Sequence, residues 1–203
     1  MIEYKNIDLK LGDKEIFKDF SLKISNGEKV LFNAPSGTGK STLVKMLLGF
    51  LKPNKGSIHL NGQTLSKTTC HSIRCQCAYV SQDVDLPELS IQDLLDRIFD
   101  FKCNRNLVCH QSDIEKTLDF FDLAPSTIHQ NVKDLSGGER QRLGLALCQL
   151  MDRPIWLLDE VTSGLDKTLK HKVYNMVMES DKTVLIISHD DIWDNQSIRK
   201  VRW

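Results

Sequence analysis

Lys29-Val30-Leu31-Phe32-Asn33-Ala34-Pro35-Ser36-Gly37-Thr38-Gly39-Lys40-Ser41-Thr42-Leu43-Val44-Lys45-Met46-Leu47-Leu48 is the stretch on which the fold turns. Lys29 to Asn33 reads as a short strand, Ala34 to Thr42 as a glycine-rich turn, and Leu43 to Leu48 as a helix ended by Gly49 and Pro53. A strand feeding such a turn and then a helix aims backbone N–H groups, and the positive end of the helix dipole, at one point. That arrangement suits phosphate. Pro35, Ser36, Gly37, Thr38, Gly39, Lys40, Ser41 and Thr42 are the expected contacts. Gly37 and Gly39 let the backbone curl closely, Lys40 is placed to reach β- and γ-phosphates, and Ser41 to ligate Mg²⁺. Ala34 stands where this motif carries its first glycine. Alanine costs little there if φ is negative, and about 1 kcal/mol or more if it is positive.

On the N-terminal side, Ile2 to Leu11 and Phe20 to Ile24 have short apolar or alternating patterns of strands, with turn signals at Gly12-Asp13 and Asn26-Gly27. On the C-terminal side, Ser57 to Leu60 and Cys75 to Ser81 are further strands. The period then changes: Leu94, Leu95, Ile98 and Phe99 mark one amphipathic helix, and Ile114, Leu118 and Phe121 another. Residues 89–131 therefore read as a small helical subregion. The α/β pattern resumes with Ile155-Trp156-Leu157-Leu158, a helix through Leu169, Val173, Met176 and Val177, and a strand from Val184 to Ile187. With 203 residues and no repeat or linker, the chain is expected to be a single domain over 1–203.

Lysine plus arginine (27) equals aspartate plus glutamate (27), so no net charge draws the protein to nucleic acid or to an anionic bilayer. The longest apolar runs fall far short of the roughly 20 residues that span a hydrocarbon core, and the start lacks the layout of a secretory signal. The six cysteines (Cys70, Cys75, Cys77, Cys103, Cys109, Cys148) are read as cytoplasmic thiols. Zinc at Cys70-His71 and Cys75-Gln76-Cys77 is disfavoured by the spacing; Cys75, Cys77 and Tyr79 alternate as in a strand.

The run Ile155 to Leu158 ends in Asp159-Glu160. An apolar strand buried in an open sheet delivers its carboxyl end to the crevice where nucleotides sit. Asp159 is thus the expected Mg²⁺ partner of Ser41, and Glu160 the group that orients and polarises the attacking water. Alone, an acidic pair on a strand end is equally well a solvated terminus; its force comes from its place behind the phosphate turn.

Leu135-Ser136-Gly137-Gly138-Glu139-Arg140-Gln141-Arg142-Leu143 resembles the signature of ATP-binding cassette (ABC) ATPases. Gln82 resembles that family's Q-loop, Ser163-Gly164-Leu165-Asp166 its D-loop, and His189 its switch histidine, all in the family's order. The resemblance covers essentially the whole chain. It implies an α/β P-loop NTPase fold of ABC type, with a mixed central sheet, an N-terminal antiparallel β subregion and a small helical subdomain. It implies ATP and Mg²⁺ as ligands, with Ser41, Gln82 and Asp159 toward the metal and Glu160, His189 and Gln82 in catalysis. Two cassettes, expected to be identical, would meet head to tail, so that Ser136, Gly137 and Gly138 of one close over ATP held by the other, and Asp166 communicates across the pair. A transmembrane permease would dock on the helical subregion and the Gln82 segment, holding the protein at the inner face of the cell membrane.

Departures from the family pattern are Ala34, Val161 in place of a proline, Leu147 in place of an arginine, and Leu11 where an aromatic ring usually faces adenine. Tyr4 and Phe17 are nearby aromatics, neither assigned that role. Because Glu160, His189, Gln82, Ser41 and Ser136 are intact, an active ATPase is expected. Short length and a compact helical part resemble small export-type cassettes, from which no substrate is assigned. The competing readings are a non-transport ABC switch acting in cell-envelope, ribosome or DNA processes, and a purely structural nucleotide binder. The single cassette, the absence of heptads and the retained Glu160 count against these.

Overall fold

In a computed structural model, which describes residues 1–33 and 39–201, the chain builds two sheets with helices on both sides of the larger one. The smaller sheet is antiparallel, in the order β2-β1-β4-β5: β1 (Ile2–Leu11), β2 (Lys14–Ile24), β4 (Lys55–Leu60) and β5 (Gln63–Thr64). The larger is a five-stranded parallel sheet in the order β6-β7-β8-β3-β9. Its strands are β3 (Lys29–Phe32), β6 (Cys77–Val80), β7 (Ile155–Asp159), β8 (Thr183–Ile187) and β9 (Arg199–Val201). Parallel and antiparallel pairing thus coexist, as the sequence led us to expect.

The apolar runs of β7 and β8 follow from burial on both faces. Ile155 and Leu157 face one core together with Val30, Phe32, Leu185 and Ile187; helix α1 (Lys40–Leu47) and the antiparallel sheet complete it. Trp156, Leu158, Val184 and Ile186 face the other core, which is closed by α3 (Ile91–Asp100), α4 (Gln111–Phe120), α5 (Gly137–Leu150) and α6 (Lys167–Glu179). The helical subregion leaves and rejoins the main body at one point. Ser90 and Asn131 form an isolated antiparallel bridge, flanked by Ile91 N–H donating to Gln130 and Val132 N–H to Leu89.

Three local expectations need correction. β2 begins at Lys14 rather than Phe20, because register shifts along β1, with positive φ at Asn6 and Asp19, break the period-2 pattern by which a strand is read. β6 begins at Cys77 rather than Cys75, since Cys75 caps the short helix α2 (Cys70–Arg74). β9 was not anticipated: Arg199-Lys200-Val201 has almost no apolar content and is held as an edge strand by β3 and by Arg199 pairing with Glu28. Basic side chains on a sheet edge also discourage pairing with other chains.

Candidate active site

Four adjacent strands end on one rim. β3 leads toward Gly39 and α1, β7 ends in Asp159, β8 is followed two residues on by His189, and Gln82 lies just past β6. Gly39, Lys40, Ser41, Thr42, Gln82, Asp159, Glu160 and His189 line one cavity of about 640 Å³ on this rim, with Leu11, Lys14 and Ile16 of the β1–β2 hairpin across from them. Nine site residues expected from the sequence are thereby brought together, Leu11 among them at an exposed rim position. Pro35, Ser36, Gly37 and Thr38, and the question of φ at Ala34, lie outside the described residues. Tyr4 is buried, its hydroxyl donating to the Leu43 carbonyl at 3.0 Å, and Phe17 is buried in the same core; neither lines the cavity.

Gly39 precedes α1 with φ 102, a region that disfavours any side chain, and a Cβ there would come within 2.3 Å of Ile16 Cγ2. Gly39 gives α1 no side-chain cap, and the first N–H groups of a helix have no intrahelical acceptor, which suits an anion at this end. Lys40 is 9% exposed; its Nζ lies 3.5 Å from Glu160 Oε1 and also donates to His189 Nε2, which is itself 3.9 Å from the same carboxylate oxygen. A single cation is shared by a carboxylate and an imidazole, so a γ-phosphate entering here meets all three groups together.

Asp159 is only 3% exposed. Burial pushes its carboxyl above the ordinary carboxylate range and the Glu160 charge adds to this, while hydrogen bonds from Ser41 and Tyr79 and the Lys40 charge pull the other way. A desolvated carboxylate beside a serine hydroxyl is the donor set of a hard cation that takes one or two protein oxygens and completes its shell with phosphate and water. Ser41 and Asp159 thus fit Mg²⁺, with Gln82 on the same cavity wall. Among the described residues no group of three or more His, Cys, Asp or Glu side chains is gathered as a metal cage.

Tyr79 was not anticipated. Its hydroxyl donates to Asp159 Oδ2 at 3.4 Å, and burial, with the Asp159 charge, pushes its own pKa up to about 12. Pairing of Tyr79 with Leu157 across the parallel ladder places it there, a relation the linear sequence does not contain.

Glu160 adopts φ 52, unusual for a residue with a side chain, and three donors hold its carbonyl: Ser163 N–H at 3.2 Å, Ser163 Oγ at 2.9 Å and Gln141 Nε2 at 3.2 Å. Its N–H donates to Ile187 at the end of β8. The backbone is turned so that the carboxylate faces Lys40 instead of continuing the strand.

The signature residues are elsewhere. Gly137 and Gly138 line a second groove with Gln82, Gln141 and Gly164. Ser136 caps α5: its Oγ accepts from Glu139 N–H at 3.3 Å and donates to Glu139 Oε2 at 2.6 Å, and the carboxylate also accepts from Ser136 N–H. These bonds hold the Glu139 carboxyl below the usual range. Asp166 caps α6, accepting from Leu169 N–H at 3.0 Å, and lines neither cavity. Within one chain the signature glycines therefore lie outside the Lys40 cavity, in a groove that adjoins it at Gln82.

A helix that starts at Lys40 on the carboxyl rim of a parallel sheet, with buried Asp159 and Ser41 lining the same cavity, is the layout of a P-loop nucleotide-binding domain. A family model described as ABC transporter matches residues 17–163, and the chain belongs to that family. It is similar to the probable iron export ATP-binding protein FetA of Escherichia coli K12, 32% identical over 197 residues that cover 94% of this chain and 85% of that protein. It also resembles a probable ABC transporter ATP-binding/permease protein of Haemophilus influenzae (30% identical, 93% of this chain, 35% of that one). An ATP-dependent lipid A-core flippase 2 of Colwellia psychrerythraea is 38% identical over 84% of this chain and 30% of its own length. The chain spans about a third of the length of these last two. Among solved structures it resembles an ATP-bound bacterial Atm1-family ABC exporter (TM-score 0.80, 27% identity, 94% of this chain, 35% of that one). It resembles as well a dimeric ATP-binding cassette bound to ADP and Pi (TM-score 0.78, 25% identity, 94% and 88%).

Proposed function

We propose that two copies of this chain sandwich two MgATP molecules, hydrolyse them, and use the opening and closing of the pair to move a substrate through a transmembrane permease. The observation that carries this reading is the division of the donors. Lys40, Ser41, Asp159, Glu160 and His189 line one cavity, while Gly137 and Gly138, with the capping Ser136 beside them, belong to another groove; Gln82 lies on the wall the two share. A helix N-terminus with a serine and two glycines is a ready phosphate ligand, and a second copy is the nearest source of the missing half of each site.

In this reading Lys40 and the amides of the glycine-rich turn, Pro35 to Thr38 included, hold the β- and γ-phosphates, and Leu11 packs on the base. Ser41, Asp159 and Gln82 would hold Mg²⁺, which when bound would supply positive charge toward the phosphoryl oxygens. Glu160 orients the attacking water and accepts its proton, while His189 steadies the γ-phosphate side of the same cluster. Ser136, Gly137 and Gly138 of the opposite chain close the site, with Asp166 at the seam. Loss of the γ-phosphate removes the charge that binds the two halves, and the pair separates.

The helical subregion over residues 89–131, together with the Gln82 segment, is proposed as the permease-facing part, which would keep the chain at the inner face of the membrane. Among the described residues no helix is long and apolar enough to cross a membrane. The cassettes it resembles include an exporter, and transport outward is the direction favoured here. The test is hydrolysis of ATP by the purified chain, with co-purification in mild detergent. Turnover together with recovery of a multi-helix permease supports the reading; recovery of ribosomes or DNA without a permease replaces the transport role by the non-transport switch.

A further inference from the structure

Glu160 carries a non-glycine left-handed φ of 52, a conformation costing about 1–2 kcal/mol that persists only where surrounding bonds fix it. Two of the three donors to its carbonyl come from Ser163, inside the same turn. The third comes from Gln141, 19 residues away on the second turn of α5. Gln141 is 7% exposed, so its amide is committed to the protein rather than to solvent. The other end of that amide faces Gly164: a Cβ at Gly164 would lie 2.9 Å from Gln141 Oε1. One buried amide therefore bonds the helix capped by Ser136 to the backbone of Glu160 and lies against the turn preceding α6.

From this we infer that Gln141 is a positioning residue for hydrolysis. It sets the backbone of Glu160, and through it the occupancy of the groove at the start of α5 alters the aim of the carboxylate in the Lys40 cavity of the same chain. A shift of α5 by a fraction of its rise per residue moves Nε2 out of its 3.2 Å bond, and the strained turn at Glu160 is then free to relax. The two composite sites of a pair would thereby be coupled inside each chain. This rests on the reading of Glu160 as the water-orienting group.

The test uses Gln141→Met, which keeps length and volume but has no donor. Misplacement of a reacting group by about 1 Å costs up to about 100-fold in rate, so kcat for ATP should fall on the order of 10- to 100-fold with KM unchanged. Gly164→Ala, which crowds the amide without altering Glu160 or Gln141, should give the same split. In a Glu160→Gln background, Gln141→Met should cause no further loss of the residual turnover, because the group it acts through is gone. An unchanged kcat in both variants, a parallel rise in KM, or the same fold-loss in the Glu160→Gln background would overturn the inference. Undiminished turnover in Glu160→Gln alone would overturn the underlying reading of Glu160 instead, and is measured before Gln141 is touched.

Discussion

Replacing Glu160 by glutamine should tighten ATP binding while stopping turnover. Lys40 Nζ sits 3.5 Å from Glu160 Oε1, and the two side chains are only 9% and 16% exposed. A nucleotide must therefore share Lys40 with a carboxylate that also repels its γ-phosphate. At 3.5 Å the interaction of two unit charges is about 1 kcal/mol in a water-like dielectric and about 5 kcal/mol at an effective constant near 20. Glutamine preserves the shape and removes the charge, so the gain should fall toward the lower part of that range, since desolvation of Lys40 offsets some of it. The expected fall in the Kd for MgATP is about 10- to 100-fold, or about 1.4–2.8 kcal/mol. Calorimetric titration of both forms at two salt concentrations measures it, and the difference should change little with salt because the pair is shielded from solvent. Equal or weaker affinity in the variant would show that Glu160 does not compete for Lys40, and the electrostatic argument would fail.

Three further outcomes follow from the same geometry. The Asp159 carboxyl is raised in the folded chain by burial, so its ionised form costs stability, a cost absent below the ordinary value of 3.8 and growing as pH rises above it. Asp159→Asn should therefore melt higher than the parent at neutral pH, without nucleotide or metal, with the gap closing as pH falls toward 4; a gap independent of pH would refute this, and Mg²⁺-dependent turnover should be lost in the same variant. Ser136→Ala removes the cap of α5 and should cost about 1 kcal/mol in chemical denaturation. It should leave nucleotide binding to the single chain intact while weakening ATP-dependent pairing; weakened binding to the single chain would place Ser136 in the wrong site. Gly39→Ala forces a side chain into φ 102 and against Ile16, so it should reduce ATP affinity at least 10-fold and lower the melting temperature together, as read by titration and thermal unfolding.

Much of this site is written locally in the chain. Lys40 and Ser41 are legible because a strand, a glycine-rich turn and a helix must follow one another for phosphate to bind, and each has its own residue chemistry. Asp159 is legible because a four-residue all-apolar run is too short for a helix and suits a strand buried on both faces, and β7 is that. Ser136 with Glu139 three residues on is a helix start by composition alone, and α5 begins there. What escaped reading depends on partners distant in sequence. The bond from Tyr79 to Asp159 follows from parallel pairing of β6 with β7, and that from Gln141 to Glu160 from how α5 lies on the sheet. The left-handed turn at Glu160 has no glycine or asparagine to announce it, because surrounding hydrogen bonds rather than local preference hold it. β9 escaped because an edge strand of arginine and lysine has no apolar period to detect.

The most direct measurement is the molar mass of the Glu160→Gln chain by light scattering, with and without MgATP, combined with a count of bound nucleotide. If Lys40 of one copy and Ser136 of another grip the same triphosphate, MgATP converts single chains to pairs holding two nucleotides, and Ser136→Ala weakens that conversion. Saturation with one ATP per chain and no change in mass would contradict it.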